Sequence, residues 1–259
     1  MAPLIATSST DNAHLKWGVD ERTGFVPSQA PLARLPPAWE AWETRLDSAV
    51  RMKLQLAEQV EMIPEKERLE EESKSRSWRR DVAKMPLLPI EELQDSERLL
   101  RRAHHVLTYM LQFYDQTVPP TEQIMIPRSL AVPLLQVSKY LQVPPIITYF
   151  DITIFNWRSI QPLPDGSLLG AHCLQALTTF TSTSDEEEFH LLSTRIQLRG
   201  AEALELLRLA TERAFGSDDS AVDQAAQYLE RAAAVIQDLR EIMLSVKGRI
   251  DPEIFYNEI

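Results

Sequence analysis

The sequence predicts a mainly α-helical protein. Its 259 residues include only 7 glycines but 17 prolines, and its long segments are rich in Ala, Leu, Glu, Gln and Arg. Such segments favour helices and prolines favour the breaks between them, whereas a β-sandwich or a glycine-rich nucleotide fold is typically richer in glycine. The apolar fraction of 44% and the charged fraction of 25% are typical of a globular protein with a buried core.

The composition also excludes several classes of partner. A formal charge of −11 argues against binding to nucleic acid or to an anionic membrane surface. The single cysteine, Cys173, excludes an intrachain disulfide framework and fits a reducing compartment. The N-terminus lacks a secretory signal, and no apolar run reaches the roughly 18–20 residues of a membrane span. We therefore expect a soluble, cytoplasmic protein without nucleic-acid or membrane partners.

The first predicted helices follow a polar terminus, residues 1–17, that we expect to be flexible. A helix begins near Pro37, because five large apolar side chains recur on one helical face. These residues are Trp39, Trp42, Leu46, Val50 and Leu54. The next segment, Pro64–Arg80, is charged almost all round and predicts an exposed helix or connector.

A more amphipathic helix is predicted from Ser96 to about Tyr114, with a stripe of apolar residues. The stripe comprises Leu99, Leu100, Ala103, Val106, Leu107, Met110 and Phe113. Three prolines, Pro119, Pro120 and Pro127, then indicate a change of unit. We therefore divide the chain into an N-terminal domain, 18–126, and a second unit, 127–259.

The segment that follows is ambiguous. Ile146–Phe155 is rich in β-branched and aromatic residues, which favours a strand. Pro144 and Pro145 could equally form the first turn of a buried helix. Periodicity does not decide between the two, because the run is too apolar for one face to stand out.

The C-terminal third is predicted to be helical beyond a loop at Pro162–Gly166. Ser184 and Glu187 form a capping box for a helix that Gly216 ends. A long helix then spans Ser220–Lys247, with apolar residues at seven-residue intervals, as in helices that pack along one another. These are Val222, Leu229, Ile236 and Met243. Asp251 and Pro252 open another helix, for which no stop signal precedes Ile259.

No catalytic or metal-binding motif is recognisable. The 5 histidines lack metal-ligand spacing, and the neighbours His104 and His105 should point to different helix faces. His172 and Cys173 are more typical of a half-buried pair than of a reactive one. What remains is an aromatic set, with Ser193 four residues after Phe189 on the same face. Its members are Tyr149, Phe150, Phe155, Trp157, Phe189 and Phe255. They could equally be core aromatics, with Ser193 bonding its own i−4 carbonyl.

Several ordered motifs make the chain resemble the indoleamine 2,3-dioxygenase family of haem enzymes. The central ones are P-R-x-x-A-V-P at Pro127–Pro133, Q-x-S-K at Gln136–Lys139, P-P-x-x-x-Y-x-D at Pro144–Asp151 and N-W at Asn156–Trp157. The others are D-E-x-x-G-F at Asp20–Phe25, L-P-x-x-W-x-x-W at Leu35–Trp42 and F-x-x-x-S at Phe189–Ser193. The similarity runs in order from about Gly18 to the end of the sequence.

This resemblance implies a small N-terminal α/β domain, 18–126, followed by the first helices of a larger all-α domain that encloses haem b. It implies that the segment from Pro144 to Trp157 is a helix lining the pocket. The implied reaction inserts both atoms of O₂ into the indole C2–C3 bond of L-tryptophan or a related indole, giving N-formylkynurenine. The implied substrate or haem pocket residues are Tyr149, Ile152, Thr153, Phe189, Ser193 and Phe255.

The resemblance also implies parts that lie beyond these residues. The family's substrate-carboxylate arginine would follow directly after Ile259, and its proximal histidine would lie further downstream. We therefore expect residues 127–259 to be an incomplete catalytic domain and this chain alone to be inactive, without an iron ligand. An alternative is a non-enzymatic helical protein derived from the family, whose partner could be the complementary C-terminal fragment.

Overall fold

Helices form almost all regular structure in the computed structural model, which describes residues 24–27, 29–161, 173–216 and 219–258. The mainly α prediction is confirmed. The helices are α1 (Glu40–Met52), α2 (Ala57–Val60), α3 (Glu65–Ala83), α4 (Glu97–Gln116), α5 (Arg128–Leu141), α6 (Ser184–Ala214), α7 (Asp219–Leu244) and α8 (Pro252–Glu258). None of the described helices has the length and hydrophobicity needed to cross a membrane. The predicted flexible terminus, the loop at Pro162–Gly166, His14, His172 and Ile259 lie outside the described residues.

The first core lies between α1, α3, α4 and α5. A 3-10 turn at Pro37–Trp39 leads into α1, whose Trp42 and Leu46 are buried as their spacing predicts. The exposed helix predicted around Pro64–Arg80 is only partly correct, because α3 buries Trp78 near its end. The Trp78 ring packs into the core, and its Nε1 donates to the Arg45 carbonyl at 3.0 Å.

Helix α4 begins where the sequence predicts. The Ser96 hydroxyl is its N-cap and accepts from the Leu99 amide at 3.4 Å. Its apolar stripe is buried, apart from the partly buried Leu99, but α4 also buries polar residues, among them Arg102, His104 and His105. A helix that is buried on most of its circumference brings these polar groups into contact with distant parts of the chain.

Helix α5 packs into the same first core. Leu130, Leu134 and Val137 are buried there beside the residues of α4. Between residues 29 and 126, helices are the regular elements, and the two described strands occur later in the chain. The domain boundary near Pro127 stays a prediction.

The ambiguous segment forms neither a strand over Ile146–Phe155 nor a long helix. It contains one π-helical turn, Phe150–Ile154, in which the Phe155 amide donates to the Phe150 carbonyl at 2.8 Å. The strand β1 (Trp157–Ser159) follows and pairs antiparallel with β2 (Leu174–Ala176). The pocket-lining helix implied for this segment is therefore reduced to a single turn.

Helices α6 and α7 form an antiparallel hairpin whose seam consists of Ala203, Leu206, Ala232 and Val235. The predicted capping box at Ser184 and Glu187 is wrong by one residue. Thr183 is the N-cap and accepts from the Glu186 amide at 3.2 Å. The Glu186 carboxylate bends back to the preceding loop, accepting from two amides and a hydroxyl there, and this favours the earlier register.

The seven-residue stripe of α7 does not lie in that seam. Val222, Leu229, Ile236 and Met243 are between 51% and 64% exposed. The hairpin packs instead through the small residues of α7, because alanine allows the two backbones to approach closely. The helix is thus as predicted, but the face that it buries is a different one.

Candidate functional site

Three elements meet at the predicted site: the π-helical turn, the N-terminal half of α6, and α8. Phe189 and Ser193 lie on α6, and Phe255 lies on α8. Tyr149 immediately precedes the π-helical turn, which itself contains Ile152 and Thr153. The arrangement places residues from three separate parts of the sequence around one helix.

Phe189 and Phe255 form the aromatic part of the site. Their ring centroids are 4.9 Å apart and their planes are tilted by 56°. Phe189 is 41% exposed, and Phe255 is half-buried. Such a pair can hold a third flat ring through further edge or offset contacts.

Ser193 lies one helical turn beyond Phe189 and is half-buried. Its hydroxyl makes no hydrogen bond with the described residues, so the i−4 bond considered above is not formed. The neighbouring Thr194 makes that bond instead, donating to the His190 carbonyl at 3.2 Å. The Ser193 hydroxyl is thus free to bond a ligand beside the aromatic pair.

Polar contacts between α6 and the start of α8 fix the position of Phe255. The Asp251 amide donates to Asp185 Oδ1 at 2.6 Å, and Arg249 pairs with Glu188 at 3.2 Å. Hydrogen bonding from Arg195, assisted by Arg249, lowers the pKa of Glu188 and keeps it ionised. Asp251 is also the N-cap of α8, as predicted, because its side chain accepts from the Glu253 amide at 2.9 Å.

The π-helical turn contacts α6 on the side next to Phe189 and Ser193. The Tyr149 hydroxyl accepts from Gln197 Nε2 at 3.3 Å, and the Thr153 carbonyl accepts from the Thr194 hydroxyl at 3.0 Å. Tyr149 is 48% exposed, whereas Thr153 is buried. Ile152 packs against the first core instead. Of the predicted residues on this segment, Tyr149 therefore has the most accessible side chain.

His104 and His105, predicted to point to different helix faces, converge on Asp151. His104 Nδ1 lies 2.8 Å from Asp151 Oδ1, and His105 Nδ1 lies 2.9 Å from the Asp151 carbonyl. Burial would raise the pKa of Asp151, but hydrogen bonds from His104 and Thr148 outweigh it and hold the pKa below its ordinary value. Burial, assisted by the positive charge of Arg102, lowers the pKa of His105 to about 3.

Asn156 is a further residue of the site, and the sequence identifies it only as part of the N-W motif. It is fully buried, and its Nδ2 donates to the Thr178 carbonyl at 2.8 Å while its Oδ1 accepts from the Thr178 amide at 2.9 Å. Its amide also lies 3.4 Å from His190 Nδ1. Asn156 therefore joins the segment after the π-helical turn to the segment before α6. The N-W motif was the signal that could have identified it.

The part of the chain that the structure describes contains no cluster of three or more His, Cys, Asp or Glu residues suited to a metal ion. Cys173 is partly exposed, and its predicted neighbour His172 lies outside the described residues.

A cavity of about 740 Å³ lies between the C-terminal end of α1, α2, the C-terminal end of α4 and the segment before α6. Phe113, Phe180 and Asn257 contribute to its wall. None of the six predicted pocket residues lines it. The predicted residues instead form an open, partly exposed surface on α6 and α8.

Comparison with known proteins places the chain in a family. A model of indoleamine 2,3-dioxygenase matches residues 13–259. An indoleamine 2,3-dioxygenase of Saccharomyces cerevisiae is 28% identical over 94% of this chain and 50% of its own length. A 6-hydroxytryptophan 2,3-dioxygenase of Fusarium equiseti is 28% identical over 94% of this chain and 54% of its own. Human indoleamine 2,3-dioxygenase 2 is 30% identical over 68% of this chain and 42% of its own.

The chain therefore spans about half the length of the curated relatives that it matches. The family match, in contrast, covers nearly the whole of this sequence, including every predicted pocket residue. The chain belongs to the indoleamine 2,3-dioxygenase family.

Proposed function

We propose that this chain supplies one wall of the active site of a haem-dependent dioxygenase. The enzyme would cleave the indole C2–C3 bond of L-tryptophan or a related indole and yield N-formylkynurenine, a step of tryptophan catabolism in the kynurenine pathway. The observation that carries this proposal is the half-exposed pair of Phe189 and Phe255, with the unbonded hydroxyl of Ser193 beside it. Family membership gives that surface its reaction class.

Each residue of this wall has a role that its chemistry supports. Phe189 and Phe255 would hold the indole ring by edge and offset contacts and would exclude water from it. Ser193 would donate its hydroxyl hydrogen to a polar atom of the bound reactants. Tyr149 would border the ring on the side of the π-helical turn. Within that turn, Ile152 would anchor it to the first core and Thr153 would anchor it to α6. Aromatic contacts of this kind orient the substrate without taking part in the bond changes.

The described residues fit one face of haem b. Phe189, Ser193, Ile196 and Gly200 follow one face of α6, and a Cβ at Gly200 would meet no atom within 4 Å. A row of apolar and small residues suits the flat face of a macrocycle. The haem iron, when bound, would supply the binding and activation of O₂.

The described histidines do not offer an evident iron ligand. His104, His105 and His190 are all buried. Both ring nitrogens of His104 and of His105 are hydrogen-bonded within the protein. We therefore propose that the axial ligand belongs to a complementary portion and not to these three residues.

The test is product formation by the protein expressed from its complete coding region and loaded with haem. With L-tryptophan and ¹⁸O₂, we expect N-formylkynurenine that carries both ¹⁸O atoms. A haem-loaded protein that binds O₂ but releases neither labelled N-formylkynurenine from L-tryptophan nor its labelled ring-hydroxylated counterpart from 6-hydroxytryptophan would contradict the proposal.

A second observation favours partner binding, the alternative function. We define the hairpin face by Phe189, Ser193, Ile196, Gly200 and Leu207 on α6 and by Val222, Leu229, Ile236 and Met243 on α7. With about 100° of rotation per residue, the α6 residues and the α7 residues of this face each lie roughly 90° around their helix from the hairpin seam. Because the two helices are antiparallel, the two sets face the same side of the hairpin. The seven-residue interval on α7 is the spacing that another helix would match.

We propose that a complementary helical portion covers the α7 row of the hairpin face, whereas the α6 row from Phe189 to Gly200 faces haem and substrate. A second copy of the chain is disfavoured, because an antiparallel pair of α7 helices would bring the acidic edges of Asp223, Glu230 and Glu241 together, and the chain already carries a charge of −11. A helix with apolar residues at sevens and a basic edge fits better. The remaining length of the relatives is the natural source of such a helix.

Exposure of the hairpin face can be tested on the chain alone. We expect the chain to bind a hydrophobic dye and to self-associate at micromolar concentrations, because exposed apolar patches of this kind drive association. The double substitution L229K/I236K should reduce both effects severalfold in light scattering and dye fluorescence. The matched control is M62K, at an exposed apolar residue (88%) that is not part of the face. A monodisperse wild-type chain that behaves like the double variant would contradict this prediction.

A further inference from the structure

We infer that His104 and His105 are paired positioning residues, which hold Asp151 by its side chain and by its backbone and thereby set the π-helical turn of the proposed pocket. This inference rests on the proposed function, because the turn matters to catalysis only if Tyr149 borders the substrate. The two histidines touch no substrate in this account. They act through Asp151.

The contact geometry makes the pair a two-point clamp. His104 binds the Asp151 carboxylate at 2.8 Å, and His105 binds the Asp151 carbonyl at 2.9 Å. The side chains of two consecutive helical residues point about 100° apart. Both can contact the same residue only if that residue lies between their two directions. Asp151 occupies that position, with its side chain and its backbone directed at different histidines.

The second ring nitrogen of each imidazole, Nε2, contacts another segment of the site. His104 Nε2 lies 3.2 Å from the Pro144 carbonyl, and His105 Nε2 lies 2.9 Å from the Thr178 hydroxyl. The clamp therefore joins three points of the chain to α4: the residues before the π-helical turn, the turn itself and the segment that leads to α6. These are the elements that position Tyr149 and Phe189.

Hydrogen-bond chemistry defines the state of His105. A backbone carbonyl can only accept, so His105 Nδ1 must carry a hydrogen and donate it to Asp151. The low pKa of His105 leaves the ring neutral at neutral pH, so Nε2 accepts from the Thr178 hydroxyl. This tautomer satisfies both partners. Asp151 is likewise satisfied, because its second oxygen accepts from the Thr148 amide at 2.9 Å and from the Thr148 hydroxyl at 2.6 Å.

A purely structural clamp could have held an ordinary α-helical turn. Instead it holds a π-helical turn, a rare element that occurs mainly at functional sites. Tyr149 and Thr153 lie two residues before and after Asp151, and both contact α6, through Gln197 and Thr194. Displacement of Asp151 would therefore shift the Tyr149 side of the pocket relative to Phe189.

The first readout is hydrogen–deuterium exchange, which needs neither haem nor substrate. In H104A and D151A we expect amide exchange in residues 148–156 to accelerate at least tenfold, with exchange in α1 and α3 unchanged. The more conservative H104Q, which keeps a hydrogen-bonding group, should recover part of the protection. T108A is the matched control, because Thr108 is buried on the same helix but bonds only the His104 and His105 carbonyls of its own helix.

The second readout is the selectivity of the haem-loaded protein expressed from its complete coding region. H104Q should change the ratio of kcat/KM for L-tryptophan to that for 6-hydroxytryptophan by at least threefold, while T108A leaves the ratio within experimental error. Exchange rates in residues 148–156 that match T108A in H104A, H104Q and D151A would overturn the clamp. Faster amide exchange in residues 148–156 together with an unchanged kcat/KM ratio would overturn the positioning role of the clamp. Absence of turnover in the wild type would instead contradict the proposed function.

Discussion

Replacing Glu43 with alanine is expected to lower the free energy of unfolding by about 3–5 kcal/mol, because it leaves a buried guanidinium without its counter-charge. Glu43 is fully buried and Arg102 is 6% exposed. The pair is bidentate, with Arg102 Nε to Glu43 Oε1 at 3.0 Å and Arg102 Nη2 to Glu43 Oε2 at 2.6 Å. Glu43 also accepts from the Leu35 amide at 2.7 Å, so its loss strands a backbone donor as well. Urea unfolding followed by circular dichroism measures the change.

Two further variants distinguish the contribution of this buried ion pair to stability from that of an exposed one. The double substitution E43M/R102M removes both charges, and we expect it to be less damaging than E43A, since paired buried charges can often be replaced by apolar residues of similar volume. R34A, which breaks the two exposed ion pairs of a 42% exposed arginine with Glu40 and Asp47, should cost at most about 1 kcal/mol. An E43A variant that unfolds within 1 kcal/mol of the wild type would contradict the account of the first core.

Acid is expected to destabilise the protein through His105. The pKa of this residue lies near 6.5 when the chain is unfolded and about 3 when it is folded. A depressed histidine pKa means that the unfolded state binds the proton more readily, so stability is full above pH 6.5 and is lost as the pH falls towards 3. One pKa unit corresponds to about 1.4 kcal/mol, so His105 alone should cost roughly 2–3 kcal/mol between pH 6.5 and pH 4.5.

The variant H105Q isolates this contribution. It should be less stable than the wild type at pH 7, because it loses part of the clamp, but its unfolding free energy should fall less steeply on acidification. Burial also lowers the pKa of His190, so part of the acid sensitivity should persist in the variant. Urea unfolding at pH 7, 5.5 and 4.5 provides the comparison. Parallel pH profiles for the two proteins would show that His105 is not the source.

Local sequence signals predicted the long helices well. Helix α4 has an apolar stripe and a serine cap, and its start in the structure agrees with both. The π-helical turn could not be predicted in the same way, because Ile146–Phe155 is rich in β-branched and aromatic residues and has no clear periodicity. Its form depends on Asp151, whose partner His104 is 47 residues away along the chain. The cap of α6 moved by one residue for a similar reason, since Glu186 is held by the preceding loop.

The candidate site was accessible from the sequence only through motifs. Phe189, Ser193 and Phe255 carry no chemistry that spacing alone would reveal, and the family resemblance identified them. The convergence of His104 and His105 was missed, because adjacent helical residues normally serve different faces. The seven-residue stripe of α7 correctly indicated a helix but not its packing side, since the hairpin seam uses alanines.

The central claim is that Phe189 and Phe255 form the wall that holds the indole ring. The most direct measurement is kcat/KM for L-tryptophan in the haem-loaded protein expressed from its complete coding region, compared among F189A, F255A and Y256A. Tyr256 is the matched control, because it neighbours Phe255 on α8 but is 89% exposed. We predict a loss of about tenfold or more, or roughly 1.4 kcal/mol, for each phenylalanine variant at unchanged haem content, and little change for Y256A. Equal values for F255A and Y256A, with F189A near the wild type, would contradict the claim.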